Sequence, residues 1–331
     1  MSDREDQRVL FVSAPKILAP APRSAAHEAI AARLPPSIRL GTTSWSYPGW
    51  IGSVYGAGVL HKDLSGHGLT AYAKHPLLRA VEIDRTYYGP VPATTLRALA
   101  DQVPGDFRFL VKAHEDCVFS RFSDHARYGN KRASANVRYL DADYAADACV
   151  TPFAEGLGPK GAALLFQFPQ LPRRDVDEPR RFVDALHSFL RRLPRGPLYA
   201  VELRNHDLLV PAYSEALEDA GAVHCHNVWT AMPPVTTQAR SITPRARRPL
   251  LIRWLLRPGD TFEQARARYS PFDRLVDEDR ANRDLLAALV AQAHAHDVPA
   301  LVLIDNKAEG SAPASAFRLA DAIAGRCAGG G

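Results

Sequence analysis

Eight short apolar runs separated by stretches of helical periodicity constrain this chain most. They fall at 38–42, 80–84, 107–112, 163–168, 198–203, 222–226, 250–255 and 300–304. Several are continuously apolar rather than alternating, as expected of parallel strands covered on both faces. Between them, Phe182, Val183, Leu186, Phe189, Leu190 and Leu193 form one helical stripe after Asp177, which can cap it. Leu285, Leu286, Leu289, Val290 and Ala293 form another, and the stretch 313–325 opens with Pro and closes with Gly. Eight strands alternating with helices over about 290 residues predict an α/β fold, a single-domain (β/α)8 barrel. A doubly wound sheet is the competitor, but no Gly-rich nucleotide loop follows the first run.

The barrel domain is expected over 37–326. Residues 1–36 are expected to be a flexible Ala/Pro-rich extension in which 9–12 form a short strand or dock on the body, and 327–331 a loose tail. Two connections are long, 114–160 and 227–249. Connections of such length are usually lids, binding loops or disordered segments.

Charge and cysteine usage narrow the function. The formal net charge is +5, and lysine occurs only at 16, 62, 74, 112, 131, 160 and 307, so arginine supplies almost all of the positive charge. Arginine's planar fork suits carboxylates and phosphates, which mildly favours an anionic ligand. The cysteines at 117, 149, 225 and 327 form no C-x-x-C pair, so a reducing cytoplasm and no disulfide framework are expected. No apolar stretch approaches a membrane span and no secretory signal is evident, so no membrane partner is expected.

In a (β/α)8 barrel the chemistry gathers where the strands end, because the following loops converge there. The first run leads into a turn, 41–50, crowded with Trp45, Tyr47 and Trp50, whereas turn tips are normally small and polar. It reads as a pocket mouth or as a lid folded onto the barrel. The second run carries Glu82 and Asp84, then Tyr87 and Tyr88. The third ends in Lys112 and His114, the fourth in Gln167, and the fifth in Glu202 and Arg204. The sixth gives His224 or His226 and then Trp229, the seventh Arg253, and the eighth Asp305, Asn306 and Lys307. Charges inside barrel strands are costly unless paired. Two readings of Glu82, Lys112, Glu202, Arg204 and Arg253 follow: a closed ion-pair network, or a carboxylate–lysine acid–base site with arginines for an anion. A metal set of Glu82, His114, Glu202, His226 and Asp305 is a further reading. No sequence spacing supports it, and no cofactor is specified.

Taken in order, these residues resemble the DUF72 (YecE-like) family. The segments that carry the likeness are 41–50, 81–88, 107–112, 157–161 with 164–169, and 200–204. Arg253, and Asp305-Asn306 with Glu309-Gly310 and Ala312-Pro313, complete them. The resemblance spans about residues 38 to 325 and implies a (β/α)8 barrel, without an agreed reaction. A distant likeness to metal-dependent barrel endonucleases and sugar isomerases is analogy only. Departures occur at Asp84-Arg85, at Asp305 and Lys307, and at 114–117. The third connection is also longer than usual, and rich in Arg and Tyr.

The resulting expectation is an enzyme or binder of a small anionic ligand, of phosphorylated-sugar or nucleotide type, at the C-terminal face. Glu82 and Glu202 would be the acid–base pair and Lys112 their electrostatic partner. Arg204 and Arg253 would clamp the anion, Asp305 and Asn306 would contact substrate, and Trp45, Tyr47 and Tyr87 would stack. This requires Glu202 to face a cavity. The alternatives are a nucleic-acid binder or metal-dependent phosphodiesterase, with tip aromatics on bases and Arg240–Arg248 on phosphates, and a non-catalytic ligand sensor.

Overall fold

The computed structural model describes residues 16–242 and 248–328. Eight parallel strands close into a barrel in sequence order: β1 (Ile38–Thr42), β2 (Leu78–Ile83), β3 (Arg108–Lys112), β4 (Gly161–Gln167), β5 (Tyr199–Glu202), β6 (Val223–Val228), β7 (Leu250–Trp254) and β8 (Ala300–Ile304). β8 pairs back onto β1 from Ile38↔Ala300 to Thr42↔Ile304. Each strand coincides with one of the eight apolar runs to within a few residues.

Strand side chains alternate between two faces, and this alternation builds the site. Ala80, Leu110, Ala163, Leu165, Ala200, Cys225, Leu251 and Leu303 form one apolar cluster inside the barrel. Two residues further along their strands, on the same face, stand Glu82, Lys112, Glu202 and Arg253. A charged layer therefore sits directly on an apolar plug. The opposite face of the strands joins the larger core beneath the helices, with Val81, Val111, Phe166, Val201 and Ile252.

The helical layer follows the stripes. The helix Pro179–Arg192 buries Phe182, Val183, Leu186, Phe189 and Leu190. Asp177 does not cap it: the N-cap is Glu178, and Pro179 opens the first turn. The helix Arg280–Ala295 is capped by the Asp279 side chain, which accepts from Asn282 N, and Ala312–Ala328 closes the described chain.

The second half of the N-terminal extension differs from the expected flexible segment. Ala25–Arg33 is a helix whose cap, Ser24, accepts from His27 N. It lies against the C-terminal helix, with the His27 ring 4.6 Å from Phe317 and Arg33 paired to Asp321 at 3.5 Å. Leu18 and Ile30 are buried with the main core. The alanines that suggest a linker by composition are also the strongest helix formers once a cap and a docking face are present. Residues 9–12 and 329–331 lie outside the described residues.

At Gly41, where the register of β1 against β2 shifts, an added Cβ would lie 1.9 Å from the carbonyl oxygen of Ala80. Backbone cannot rotate away as a side chain can. Gly41→Ala should therefore destabilise the barrel by about 3 kcal/mol through overpacking, read as a lower denaturation midpoint in urea. An unchanged midpoint would show that the β1–β2 seam is loose.

Candidate functional site

The charged layer at the C-terminal end of the barrel is one continuous chain of alternating sign. Its centre is Arg253, which donates from Nε and Nη2 to Glu82 Oε2 and Oε1 at 2.8 and 2.9 Å, and from Nη1 to Glu202 Oε2 at 2.5 Å. On one side Glu202 Oε1 lies 2.6 Å from Arg204 Nη2, and the Arg204 guanidinium stacks 3.9 Å from the Trp229 ring centroid. On the other side Lys112 Nζ lies 3.7 Å from Glu82 Oε1 and 2.5 Å from Asp84 Oδ1, and 4.8 Å above Tyr87. The order is Asp84, Lys112, Glu82, Arg253, Glu202, Arg204: three carboxylates and three cations.

The structure brings these residues together but gives them roles other than those expected of a free acid–base pair. Glu82 and Glu202 are 1% and 0% exposed and both are held by Arg253. Glu202 therefore does not face the cavity its catalytic role requires. Arg253, with three of its nitrogens donating to carboxylates, is a bridge rather than an anion clamp. The Asp84 end is the exposed one, and the Arg204 end is buried but incompletely paired. Asp84 has a side chain 29% exposed. Arg204 is 7% exposed, yet its Nε and Nη1 have no hydrogen-bond partner.

Burial and neighbouring charge move the two glutamates in opposite directions. At Glu82 burial dominates and raises the pKa, against the opposing pull of Arg253 and Lys112. At Glu202 burial is again the largest single effect and pushes upward, but Arg204, Arg253 and Lys112 together outweigh it and hold the carboxyl below its ordinary value.

The aromatic turn 41–50 folds back as a lid. Trp45 is buried and its Nε1 donates to Leu64 O. Trp50 is buried too, and its Nε1 donates to Asn306 Oδ1, which also accepts from Ala312 N. Asn306 thus braces the lid through Oδ1, while its buried Nδ2 has no hydrogen-bond partner. Tyr47 is half-buried and packs edge-on against Phe272, 5.6 Å away. Tyr87 is buried beneath Lys112. Asp305 accepts from Thr43 Oγ1 at 2.8 Å and from Lys307 N and Nζ at 2.9 and 3.1 Å. Its pKa is lowered: burial pushes up, but Lys307 and these hydrogen bonds outweigh it.

The expected metal set does not assemble. Among the described residues, no group of three or more His, Cys, Asp or Glu side chains is placed to hold an ion. Cys225 faces the barrel interior, so its neighbours on β6 face outward. His224 meets the Tyr213 hydroxyl and Gln238, and His226 the carbonyl of Leu251. Burial pulls both histidines far down, to about 4 and about 3. The expected arginine cluster is also divided. Arg248 precedes β7, at the barrel end opposite the aromatic turn, and donates to Gly221 O. Residues 245 and 247 lie outside the described residues.

The side chains that the strand-end reading missed lie in the third connection. There a cavity of about 490 Å³ is lined by Tyr88, His114 and Asp116, with Arg127, Lys131, Arg138 and Tyr144 among its other walls. Asp116 faces Arg138 at 3.3 Å, Lys131 at 3.6 Å and His114 Nε2 at 4.0 Å. Glu115 is paired with Arg127, which also contacts the Tyr128 hydroxyl. His114 Nδ1 lies 2.5 Å from the Tyr144 hydroxyl, and burial, the largest effect, lowers its pKa. The excess of Arg and Tyr in this connection was the available signal.

A closed parallel barrel, with a charged layer at the ends of its strands and a basic cavity above β3, defines the class of protein. The family described as "Protein of unknown function DUF72" matches residues 39–328. The chain belongs to the DUF72 family. Among solved structures it is similar to a DUF72 family protein from Enterococcus faecalis V583 (TM-score 0.55, 18% identity, covering 88% of this chain and 95% of that one). It is also similar to a DUF72 family protein from Thermotoga maritima MSB8 (TM-score 0.54, 17% identity, covering 85% and 97%). At such identities the likeness is one of fold. No curated protein matches the chain, and no helix among the described residues is long and apolar enough to cross a membrane.

Removing Arg253 would leave two buried carboxylates without their bridge. Arg253→Met should cost about 3–5 kcal/mol, and Arg253→Lys less, measured by chemical denaturation. A loss below about 1 kcal/mol would show that the network does not hold the barrel mouth together. The acid limb tests Glu202 separately. Because its folded pKa lies below the ordinary 4.5, its stabilisation is present above that value and is lost as pH falls through the folded value. The stability gap between the natural chain and Glu202→Gln should therefore narrow below pH 4.5. A gap independent of pH would show that Glu202 does not carry that charge.

Proposed function

We propose that this protein binds a small anionic ligand, of phosphorylated-sugar or nucleotide type, at the C-terminal face of the barrel, and that any turnover uses carboxylate–lysine acid–base chemistry. One observation carries the reading: in the cavity above β3, Arg138, Lys131 and His114 all face the single carboxylate of Asp116. The two arginine or lysine side chains exceed that carboxylate's charge, and both are about half exposed. A phosphate entering there gains charge-assisted hydrogen bonds, while the rings of Tyr128 and Tyr144 back the guanidinium groups of Arg127 and Arg138 that lie over them.

The acid–base group in this reading shifts from the Glu82–Glu202 pair to Lys112 with Asp84, the more exposed end of the ion chain. Glu82 stands behind Lys112. Glu202 and Arg253 act through their neighbours as positioning residues, and the unpaired donors of Arg204 supply a second anion contact beside Trp229. The free cysteines suit a reducing compartment such as the cytoplasm.

Thermal shift followed by calorimetry with a panel of sugar phosphates and nucleotides tests this. At least one member should bind, and Arg138→Ala or Lys131→Ala should each weaken it roughly tenfold, the value of one charge-assisted contact. Lys112→Met should abolish turnover while preserving binding; binding without product would make the protein a sensor. If no panel member binds, or if affinity ignores both cavity variants, the reading fails. Binding of single-stranded nucleic acid that collapses with added salt would favour the nucleic-acid alternative.

A further inference from the structure

The third connection brings together two cysteines far apart in sequence. Cys117 ends the 3-10 turn Glu115–Cys117, just after β3. Its N–H donates to His114 O at 2.9 Å and its carbonyl accepts from Leu140 N at 3.0 Å, so the connection folds back onto it. Cys149 lies in the π-helical turn Ala146–Val150, which runs into the helix Thr151–Leu157. The two sulfurs are 4.0 Å apart and both residues are buried.

Two small apolar residues packed in a core would account for burial alone. Three further features point to chemistry. The sulfurs touch each other, so a bond of about 2.05 Å needs only modest rotation and approach. Cys149 Sγ accepts the N–H of His114 at 3.3 Å, a donor that favours the thiolate. Cys149 also stands on a π-turn, an irregular element that recurs at functional sites. Consistent with this, the Cys149 thiol is shifted down, chiefly by the hydrogen bond from Cys117 and also by His114 N–H, with burial opposing.

We propose that Cys117 and Cys149 form an oxidisable dithiol that closes to a disulfide when the protein meets a peroxide. The Cys149 thiolate attacks one peroxide oxygen, the O–O bond breaks, and hydroxide leaves with the proton released by the thiol, as water. Cys149 is then a sulfenic acid. Cys117 Sγ attacks that sulfur, the S–O bond breaks, and the hydroxyl departs with the Cys117 proton as a second water. Two thiol sulfurs are oxidised and hydrogen peroxide is reduced. The bond joins the two ends of the segment carrying Arg127, Tyr128, Lys131, Arg138 and Tyr144, five walls of the cavity. This modification does not depend on any ligand binding there.

The test uses the full reduced chain exposed to graded hydrogen peroxide, alkylated after unfolding and mapped by mass spectrometry with and without reductant. The expected result is a Cys117–Cys149 linked peptide, formed while Cys225 is still alkylated and reversed by a thiol reductant. Native proteolysis between residues 117 and 149 should then slow severalfold relative to the reduced chain. In Cys117→Ser the sulfenic acid should persist on Cys149 and be captured by dimedone. Persistence of both thiols at doses that oxidise Met232 would overturn the proposal. So would over-oxidation of Cys149 without a cross-link, or cross-linking only between chains through Cys327.

Discussion

Arg253 is the charge on which the barrel mouth depends. A guanidinium 3% exposed bridges two carboxylates that are 1% and 0% exposed. Each ion alone would cost several kcal/mol to bury, and attraction offsets this only with good geometry and satisfied hydrogen bonds. Two carboxylates and one guanidinium still leave a net negative charge inside the barrel. Lys112 and Arg204 are required to balance it, and Asp84 restores neutrality at the rim. The alternating order is thus a consequence of excluding water from the strand ends. Placing the layer on an apolar plug of Ala80, Leu110, Ala200 and Leu251 denies it solvent from below.

The network is neutral but not symmetric. Glu202 lies between two arginines and is held ionised, whereas Glu82 shares Arg253 and has the more distant Lys112, so burial leaves it the easier carboxyl to protonate. Environments that push two carboxyls apart assign them different proton roles. A proton entering this layer therefore favours the side of β2 and β3, where Lys112 and the exposed Asp84 also stand. That is the side from which the third connection rises to form its basic cavity.

The strands were legible because apolar continuity and alternation are local properties. The parity of β6 was not: the sequence left His224 or His226 as rim candidates, and only the inward placement of Cys225 turns both away from the barrel interior. A closed ion-pair network of Glu82, Lys112, Glu202, Arg204 and Arg253 was one of two readings of the sequence, but which charges pair, with Arg253 between Glu82 and Glu202, was not legible. These residues sit on three separate strands, and sequence spacing carries no information about which charges meet across a barrel. The aromatic turn was ambiguous for a similar reason. Whether an indole N–H points to a ligand or to Leu64 O and Asn306 Oδ1 depends on contacts from elements far along the chain. The helix Ala25–Arg33 was hidden by composition, since Ala-rich segments read as linkers until a docking face is known.

The division of labour between barrel and insertion follows from these constraints. A chain of buried ions tolerates little change, since altering one member strands its neighbours in low dielectric. In the third connection the cations paired with the buried Asp116 are about half exposed, so water can replace them. The connection holds Ala133 and Leu140 in the left-handed backbone region, a conformation that non-glycine residues adopt at a cost and that often gathers at functional sites. It also carries the π-turn. The exposed cations Lys131 and Arg138 of this connection can therefore be altered without disturbing the pairing of Arg253 with Glu82 and Glu202.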